Sequence, residues 1–169
     1  LEENIPISDI KKGLKNFQGV GRRFETEQIT IGNQSKILID DYGHHPTEIL
    51  VTIKAIKEKF PQRRIVMIFE PHRYSRTKQL FQDFIKVLSK VDQLIMLDIY
   101  PANEQPIRGI SSSKLIDKIN QHKGNGIYIS NDLAIKWIEE NYKEFDILVT
   151  QGAGTISQLN HLIQDKWAL

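Results

Sequence analysis

The sequence of 169 residues contains no cysteine. Disulfides, thiolate nucleophiles and cysteine-ligated zinc are therefore excluded, and a reducing compartment is permitted. Long apolar runs are also missing: the longest are short, such as I-V-M-I-F at 65–69, whereas a helix that spans a bilayer needs about 20 predominantly apolar residues. The first four residues lack the basic start and apolar run of a signal peptide. We therefore expect no contact with a membrane.

A large excess of charge of one sign is absent as well. Lys and Arg number 23 against 21 Asp and Glu, a net charge of +2. So small a surplus predicts no broad face for nucleic acid, although a local basic cluster stays open. The hydrophobic fraction of 40% and the charged fraction of 26% are ordinary for a globular protein. We expect a single domain over residues 1–169.

Short apolar runs alternate along the chain with stretches of helical periodicity. Five runs suit strands that are covered on both faces, as in a parallel sheet: 37–39, 65–69, 94–97, 127–129 and 147–149. Residues 24–31 alternate more, which predicts an edge or antiparallel strand. The sequence thus predicts an α/β fold, an open and mostly parallel sheet with helices on both faces and one antiparallel edge strand.

Six stretches carry apolar residues at helical spacing. Ser8 and Asn131 are candidate N-caps of the first and fifth helices, and Pro46 and Glu48 suit the first turn of the second. The six apolar faces are Ile10, Leu14 and Phe17; Ile49, Ile53, Ile56 and Phe60; Leu80, Phe84 and Leu88; Leu115, Ile116 and Ile119; Ala134, Trp137, Ile138 and Tyr142; and Ile156, Leu159, Leu162 and Ile163.

Four of the predicted strands lead directly into unusually polar segments, at 40–46, 70–76, 98–104 and 150–155. In open α/β sheets, ligands bind outside the carboxyl ends of the strands. Because these segments hold closely spaced His and Arg residues, we expect a site there that recognises anions.

The first of these segments offers three types of contact. Asp41 can hydrogen-bond a ribose hydroxyl, Tyr42 can lie against a flat base, and His44 can contact a carboxylate or phosphate. A metal site built from the His and Asp residues is the rival interpretation. A third is a turn whose Asp and Pro merely end a strand and begin a helix.

The second segment holds His72, Arg73 and Arg76 within five residues. The two arginines have the (i, i+3) spacing of one helical face, and Arg suits bidentate recognition of carboxylate or phosphate. The alternative is a solvated basic turn.

Two glycine-containing segments carry weaker signals. Gly152 and Gly154 lie between a strand and a helix, which favours a tight turn over a phosphate cradle. Arg22 and Arg23 follow a glycine-rich entry, and either one touches a phosphate or both belong to a charged edge strand.

Several catalytic motifs are absent from the sequence. There is no G-x-x-x-x-G-K-[ST] phosphate-binding loop, no G-x-S-x-G nucleophile elbow and no H-E-x-x-H. The residues alone therefore predict either a binding domain or part of an enzyme. The missing initial methionine is compatible with a piece of a longer protein.

The sequences D-D-Y-G-H-H-P-T-E at 40–48 and F-E-P-H-R-Y-S-R-T at 69–77 resemble the C-terminal domain of the Mur ligase family. Further matches lie at 17–24, 98–109 and 151–154, so the resemblance spans nearly the whole chain in order. The pairing of the first two motifs points to the member that adds L-alanine. One departure is Asn103, where the family pattern has Gly; Asn tolerates positive φ better than most residues.

The resemblance implies a Rossmann-like lid domain from a three-domain, cytoplasmic ATP-dependent ligase of peptidoglycan precursor synthesis. Its substrates are L-alanine, ATP and UDP-N-acetylmuramate. The uridine-nucleotide domain and the central ATPase domain, which binds most of the Mg²⁺, are expected upstream in the same polypeptide, and the isolated chain is expected to be inactive.

By analogy with the family, two sets of side chains bind substrate. His44, His72, Arg73 and Arg76 orient the amino acid and the product, whereas Arg23, Asp41 and Tyr42 contact ATP. No metal ligand is assigned to this chain. The hypothesis from a different class is a stand-alone α/β module that binds a nucleotide or another anion.

Overall fold

The computed structural model describes residues 5–16 and 21–168. Six strands form one sheet: β1 (Glu25–Ile31), β2 (Gln34–Asp41), β3 (Ile65–Phe69), β4 (Gln93–Met96), β5 (Gly126–Tyr128) and β6 (Ile147–Gln151). The helices are α1 (Ile7–Asn16), α2 (Pro46–Lys59), α3 (Tyr74–Gln79), α4 (Phe81–Leu88), α5 (Ser112–His122), α6 (Ala134–Asn141) and α7 (Ile156–Trp167). Short 3-10 turns at Asn131–Leu133 and Tyr142–Glu144 flank α6.

The strand order is β1-β2-β6-β3-β4-β5. β1 pairs with β2 in the antiparallel sense, and every other pair is parallel. The predicted fold, with its antiparallel edge strand, is confirmed.

The apolar strands separate two cores because successive side chains point to opposite faces of the sheet. In β3, Ile65, Met67 and Phe69 join the core beneath α2, α4 and α5. Val66 and Ile68 join the core beneath α6 and α7. Helices therefore cover both faces, and a strand buried on both sides needs the continuous apolar sequence that β3 has.

The helix boundaries correct two predicted caps. α1 begins at Ile7, before Ser8, because the amides of Asp9 and Ile10 already donate to the carbonyl of Pro6. The predicted cap Asn131 instead opens a 3-10 turn, and its amide side chain donates to the hydroxyl of Thr155 at 3.4 Å. Both predictions were wrong: Ser8 already lies inside the helix, and the side chain of Asn131 is directed to a distant loop.

Two predicted apolar faces are also corrected. The described residues of α1 include none that is buried, with Ile10 and Leu14 exposed, and Phe17 lies outside the described residues. On α7, Ile156, Leu159 and Ile163 are buried as predicted. Leu162 is 56% exposed, so it belongs to the solvent-facing side of that helix.

Candidate functional site

The strand order creates a crevice at the carboxyl edge of the sheet. β6 lies between β2 and β3, with Asp41 and Phe69 both in register with Gln151. The helices that follow β2 and β3 pack on one face, whereas α7, which follows β6, packs on the other. Connections that leave neighbouring strands in opposite directions open the crevice where α/β sheets bind ligands.

The first loop is held in place by the side chain of Asp41. Its Oδ1 accepts from the amide of Gly43 at 2.8 Å and from Nε2 of Gln151 at 3.0 Å. Its Oδ2 accepts from the amide of Phe24 at 3.0 Å. The carboxylate thus ties together the ends of β2 and β6 and the start of β1, and the proposed ribose contact stays a prediction.

Tyr42 follows directly and is 48% exposed. Its amide donates to the carbonyl of Arg22 at 2.7 Å, which fixes the backbone beneath the ring. The guanidinium carbon of Arg22 lies 5.6 Å from the ring centroid, within the range of a cation–π contact. An anchored, exposed aromatic ring is suited to stack on a flat ligand.

Two histidines and two tyrosines form a row of rings across the crevice. The centroid distances are 5.5 Å from Tyr42 to His44, 5.2 Å from His44 to His72 and 5.4 Å from His72 to Tyr100. This row joins the loops that follow β2, β3 and β4. The structure thus brings together two of the histidines that the sequence analysis assigned to one site.

The environment of His72 disfavours its charged form. Burial, followed by the nearby His44, Arg76 and Arg73, lowers the pKa of His72 below its ordinary value. Nη1 of Arg76 lies 3.2 Å from Nδ1 of His72. A neutral imidazole can accept this hydrogen bond at Nδ1, which leaves its other ring nitrogen as a donor.

Arg73 and Arg76 are placed differently from the prediction of one helical face, which was wrong. Arg73 precedes α3, with a φ of +75°, and donates from Nε to Oε1 of Glu104 at 2.8 Å. Arg76 lies within α3 and turns back to His72. The two side chains nevertheless line one shallow hollow of about 350 Å³, together with His45, Ser75, Gln79 and Leu80.

His45 takes a structural role rather than joining His44. Its Nδ1 accepts from the amide of Thr47 at 3.2 Å, while Glu48 accepts from the amides of His44 and His45, both at 2.8 Å. Although burial acts to raise the pKa of Glu48, these amides hold it below its ordinary value. This reciprocal capping begins α2 behind Pro46 and directs the two histidines apart.

The arginine that the structure places inside the crevice is Arg22, whereas the family resemblance assigned the ATP contact to Arg23. Its Nε lies 2.7 Å from Oδ2 of the buried Asp40, and its Nη2 donates to the carbonyl of Gly152 at 2.8 Å. Arg23 is exposed and makes no ion pair with the described residues. Only the burial of Asp40, which no sequence pattern shows, distinguishes the two.

Glu70, at the end of β3, was also missed. It is 1% exposed and accepts from the hydroxyl of Thr155 at 2.5 Å and from the amide of Ile156 at 3.1 Å. Burial raises the pKa of Glu70 despite these bonds. The carboxylate therefore anchors the start of α7 beneath the crevice.

The glycines of the last loop pack against this anchor. A Cβ on Gly154 would lie 2.4 Å from Oε2 of Glu70 and 2.5 Å from Cγ of Tyr100. Gly152 has a φ of +150° and would place a Cβ 2.9 Å from the carbonyl of Glu70. The segment is thus the tight strand–helix turn that the sequence predicts.

The arrangement can bind a flat ring at Tyr42 and an anion in the basic hollow beside it. The loops after β2, β3, β4 and β6 converge on this edge, as predicted. Across residues 5–16 and 21–168, no three His, Asp or Glu side chains are grouped so that they can hold a metal ion. In the same residues, no helix is long and apolar enough to cross a membrane.

This site lies within a recognisable family domain. Residues 22–154 match the family described as "Mur ligase, glutamate ligase domain". The chain therefore belongs to the Mur ligase family.

A curated relative indicates which member of the Mur ligase family this chain is similar to. The chain is 44% identical over 160 residues to a UDP-N-acetylmuramate–L-alanine ligase of Psychrobacter arcticus, a match that covers 94% of the chain. Only 33% of that relative is covered, so the chain spans about a third of its length.

Solved structures show the same fold at lower identity. A murein peptide ligase of Psychrobacter arcticus superposes with a TM-score of 0.69 at 22% identity, covering 96% of this chain and 33% of that one. A UDP-N-acetylmuramate–alanine ligase of Thermotoga maritima gives 0.65 at 21% identity, with the same coverage.

Proposed function

We propose that this chain is the C-terminal lid domain of an ATP-dependent ligase that joins L-alanine to UDP-N-acetylmuramate in peptidoglycan precursor synthesis. The observation that carries the proposal is the 44% identity, over nearly the whole chain, to a ligase of that name. The convergence of Tyr42 and the basic hollow on one edge supports it, because the reaction needs a nucleotide and an amino-acid carboxylate close together. Because the reaction consumes ATP, we expect the enzyme to act in the cytoplasm.

In the proposed reaction, ATP phosphorylates the lactyl carboxylate of UDP-N-acetylmuramate. The amine of L-alanine then attacks the acyl carbon, the new C–N bond forms, and phosphate leaves with the electron pair of the broken C–O bond. Such an attack is efficient only when the two reactants are held in line, and positioning can supply several kcal/mol of the barrier. Closing the lid also excludes water, which would hydrolyse the acyl phosphate.

The residues of this chain orient the amino acid. We assign its carboxylate to the Arg73–Arg76 hollow. His72 lies against Arg76, and the ring of His44 lies beside that of His72. Charge-assisted bonds from guanidinium groups suit a carboxylate. The amine must lose a proton as it attacks, and a neutral His72 adds no positive charge beside it.

The nucleotide contacts follow from the other half of the edge. We assign Tyr42 to the base, Asp41 to the ribose and Arg23 to the phosphates. The exposure of Arg23 supports its role, since Arg22 is already engaged with Asp40. The described residues offer no carboxylate cluster that fits Mg²⁺, so we assign that ion to the preceding part of the ligase.

The complete reading frame that encodes this chain provides the test. We expect phosphate release from ATP to require both UDP-N-acetylmuramate and L-alanine. Phosphate release that depends on a murein peptide instead of L-alanine would show that the protein belongs to another branch of the family. Two results would favour a stand-alone module that binds a nucleotide or another anion. One is a reading frame that encodes no upstream phosphate-binding loop, and the other is an encoded protein that binds ATP tightly without turnover.

A further inference from the structure

Glu104 lies in the loop after β4, yet its carboxylate makes its bonds at the start of α3. Oε2 accepts from the amide of Ser75 at 2.9 Å, and Oε1 accepts from the hydroxyl of Ser75 at 2.6 Å. α3 has no side-chain cap of its own, because Arg73 occupies the N-cap position without such a bond. A carboxylate at this end satisfies an unpaired amide and complements the helix dipole.

The same carboxylate holds Arg73. Oε1 of Glu104 lies 2.8 Å from Nε of Arg73, so the guanidinium is fixed by one edge. A guanidinium has five N–H donors, and among residues 5–16 and 21–168 only the Nε donor of Arg73 has a partner. The Nη groups are therefore left for a ligand carboxylate in the basic hollow that Arg73 shares with Arg76.

The loop that carries Glu104 is itself fixed to the loop after β3. The amide of Arg73 donates to the carbonyl of Tyr100, and the amide of Tyr100 donates to that of Pro71, both at 2.8 Å. Ala102 and Asn103 adopt φ values of +47° and +68°, which turn the chain back towards α3. Asn tolerates this region better than most residues, so Asn103 can hold the positive φ that this turn requires.

We propose that Glu104, itself held by Ser75, is a positioning residue for the amino-acid substrate that acts through Arg73. The proposal rests on the function proposed above. It explains why a carboxylate lies next to a site for a carboxylate: Glu104 removes rotamer freedom from Arg73 in advance, so that less is lost when the substrate binds. The bonds from Ser75 and then Arg73 lower the pKa of Glu104 to about 2, so it stays ionised at neutral pH.

The first test is Glu104→Gln in the complete ligase. Gln keeps the size of the side chain but has no charge and only one acceptor oxygen. We expect the KM for L-alanine to rise about tenfold, the typical scale of one charge-assisted bond, while the KM for ATP changes less than about twofold. Equal changes in both KM values, or none, would overturn the proposal.

The matched control is Glu144→Gln. Glu144 is an exposed carboxylate that pairs with Arg64 at 2.9 Å, outside the carboxyl edge of the sheet. We expect this variant to leave both KM values unchanged, which separates a local effect from a general loss of negative charge. If Glu104→Gln yields no folded protein, Glu104→Asp is measured with the same two KM values and the same criteria.

A double-mutant cycle tests whether Glu104 acts through Arg73. We expect Arg73→Ala with Glu104→Gln to show the same KM for L-alanine as Arg73→Ala alone. Additive increases would show that Glu104 acts independently of Arg73 and would overturn the inference. A wild-type ligase that does not use L-alanine would instead refute the proposed function, so the two failures are distinguishable.

Discussion

The two ends of the sheet both carry arginine side chains but pair them differently. At the amino ends of β3 and β6, Arg63 pairs with Asp146 at 3.2 Å and Arg64 with Glu144 at 2.9 Å. The hollow there, about 560 Å³, is larger than the one at the carboxyl end, and Arg63 and Arg64 line it. Basic residues at this end are neutralised within the fold and exposed to solvent.

The arginines at the carboxyl end are paired less completely. Arg22 is paired with the buried Asp40, whereas Arg76 contacts only the ring nitrogen and carbonyl of His72 among the described residues. Arg73 is held by Glu104 through one nitrogen. We therefore base the predicted anion site on the incomplete neutralisation of these arginines, rather than on the volume of a hollow or the number of arginines that line it.

The largest expected effect separates the buried ion pair from an exposed one. Arg22→Ala leaves Asp40, which is 4% exposed, without its charged partner. Breaking a buried pair in this way costs about 3–5 kcal/mol of unfolding free energy. Arg63→Ala at the opposite end is expected to cost about 0–1 kcal/mol. Urea unfolding of both variants measures the difference; equal losses would remove the distinction between the two ends.

The next effect is on catalysis by the complete ligase. Arg76→Ala is expected to lower kcat/KM for L-alanine by about 1.5–3 kcal/mol of transition-state stabilisation, the range of a charge-assisted hydrogen bond. Arg64→Ala makes the same substitution at the amino end and is expected to leave kcat/KM unchanged. Unchanged kinetics in Arg76→Ala would show that the basic turn is only solvated surface.

Two carboxylates at the carboxyl end are expected to respond to pH with opposite sign. Glu104 has a pKa lowered from 4.5 to about 2, so its contribution to stability is present above pH 4.5 and lost as the pH falls towards 2. The pKa of Glu70 is raised, so its contribution is present below 4.5 and lost as the pH rises through the raised value.

Unfolding free energies of the wild type, Glu104→Gln and Glu70→Gln across this pH range test that contrast. The difference between wild type and Glu104→Gln should grow with pH, and the difference for Glu70→Gln should shrink. Parallel curves for the two variants would contradict the assignment of opposite environments.

The smallest expected effect is a shift in the titration of His72. Its pKa is lowered from 6.5 by burial and then by the nearby cations, and the lowered value should appear in a histidine NMR titration. Arg76→Ala removes one of those cations and should raise the pKa towards 6.5. Arg64→Ala, which removes a cation at the amino end of the sheet, should leave the pKa of His72 unchanged and serves as the control.

Local sequence patterns predicted the sheet because each buried strand is a continuous apolar run, as in β3, whose bounds match the predicted 65–69. They also placed the polar loops at one edge. They failed where a side chain depends on a distant partner: Glu104 bonds Ser75 from 29 residues away, and Glu70 bonds Thr155 from 85. Helical spacing misled at Arg73, because the helix begins only at Tyr74.

The position of β6 has a consequence for how the protein is made. This strand lies between β2 and β3 but is the last of the six to leave the ribosome. Until residue 151 has been synthesised, the facing edges of β2 and β3 have no hydrogen-bonding partner between them. Unpaired apolar edges promote aggregation in nascent chains. A nascent chain that ends before residue 147 would therefore expose unpaired edges of β2 and β3. We expect such a chain to be bound by chaperones or degraded by proteases.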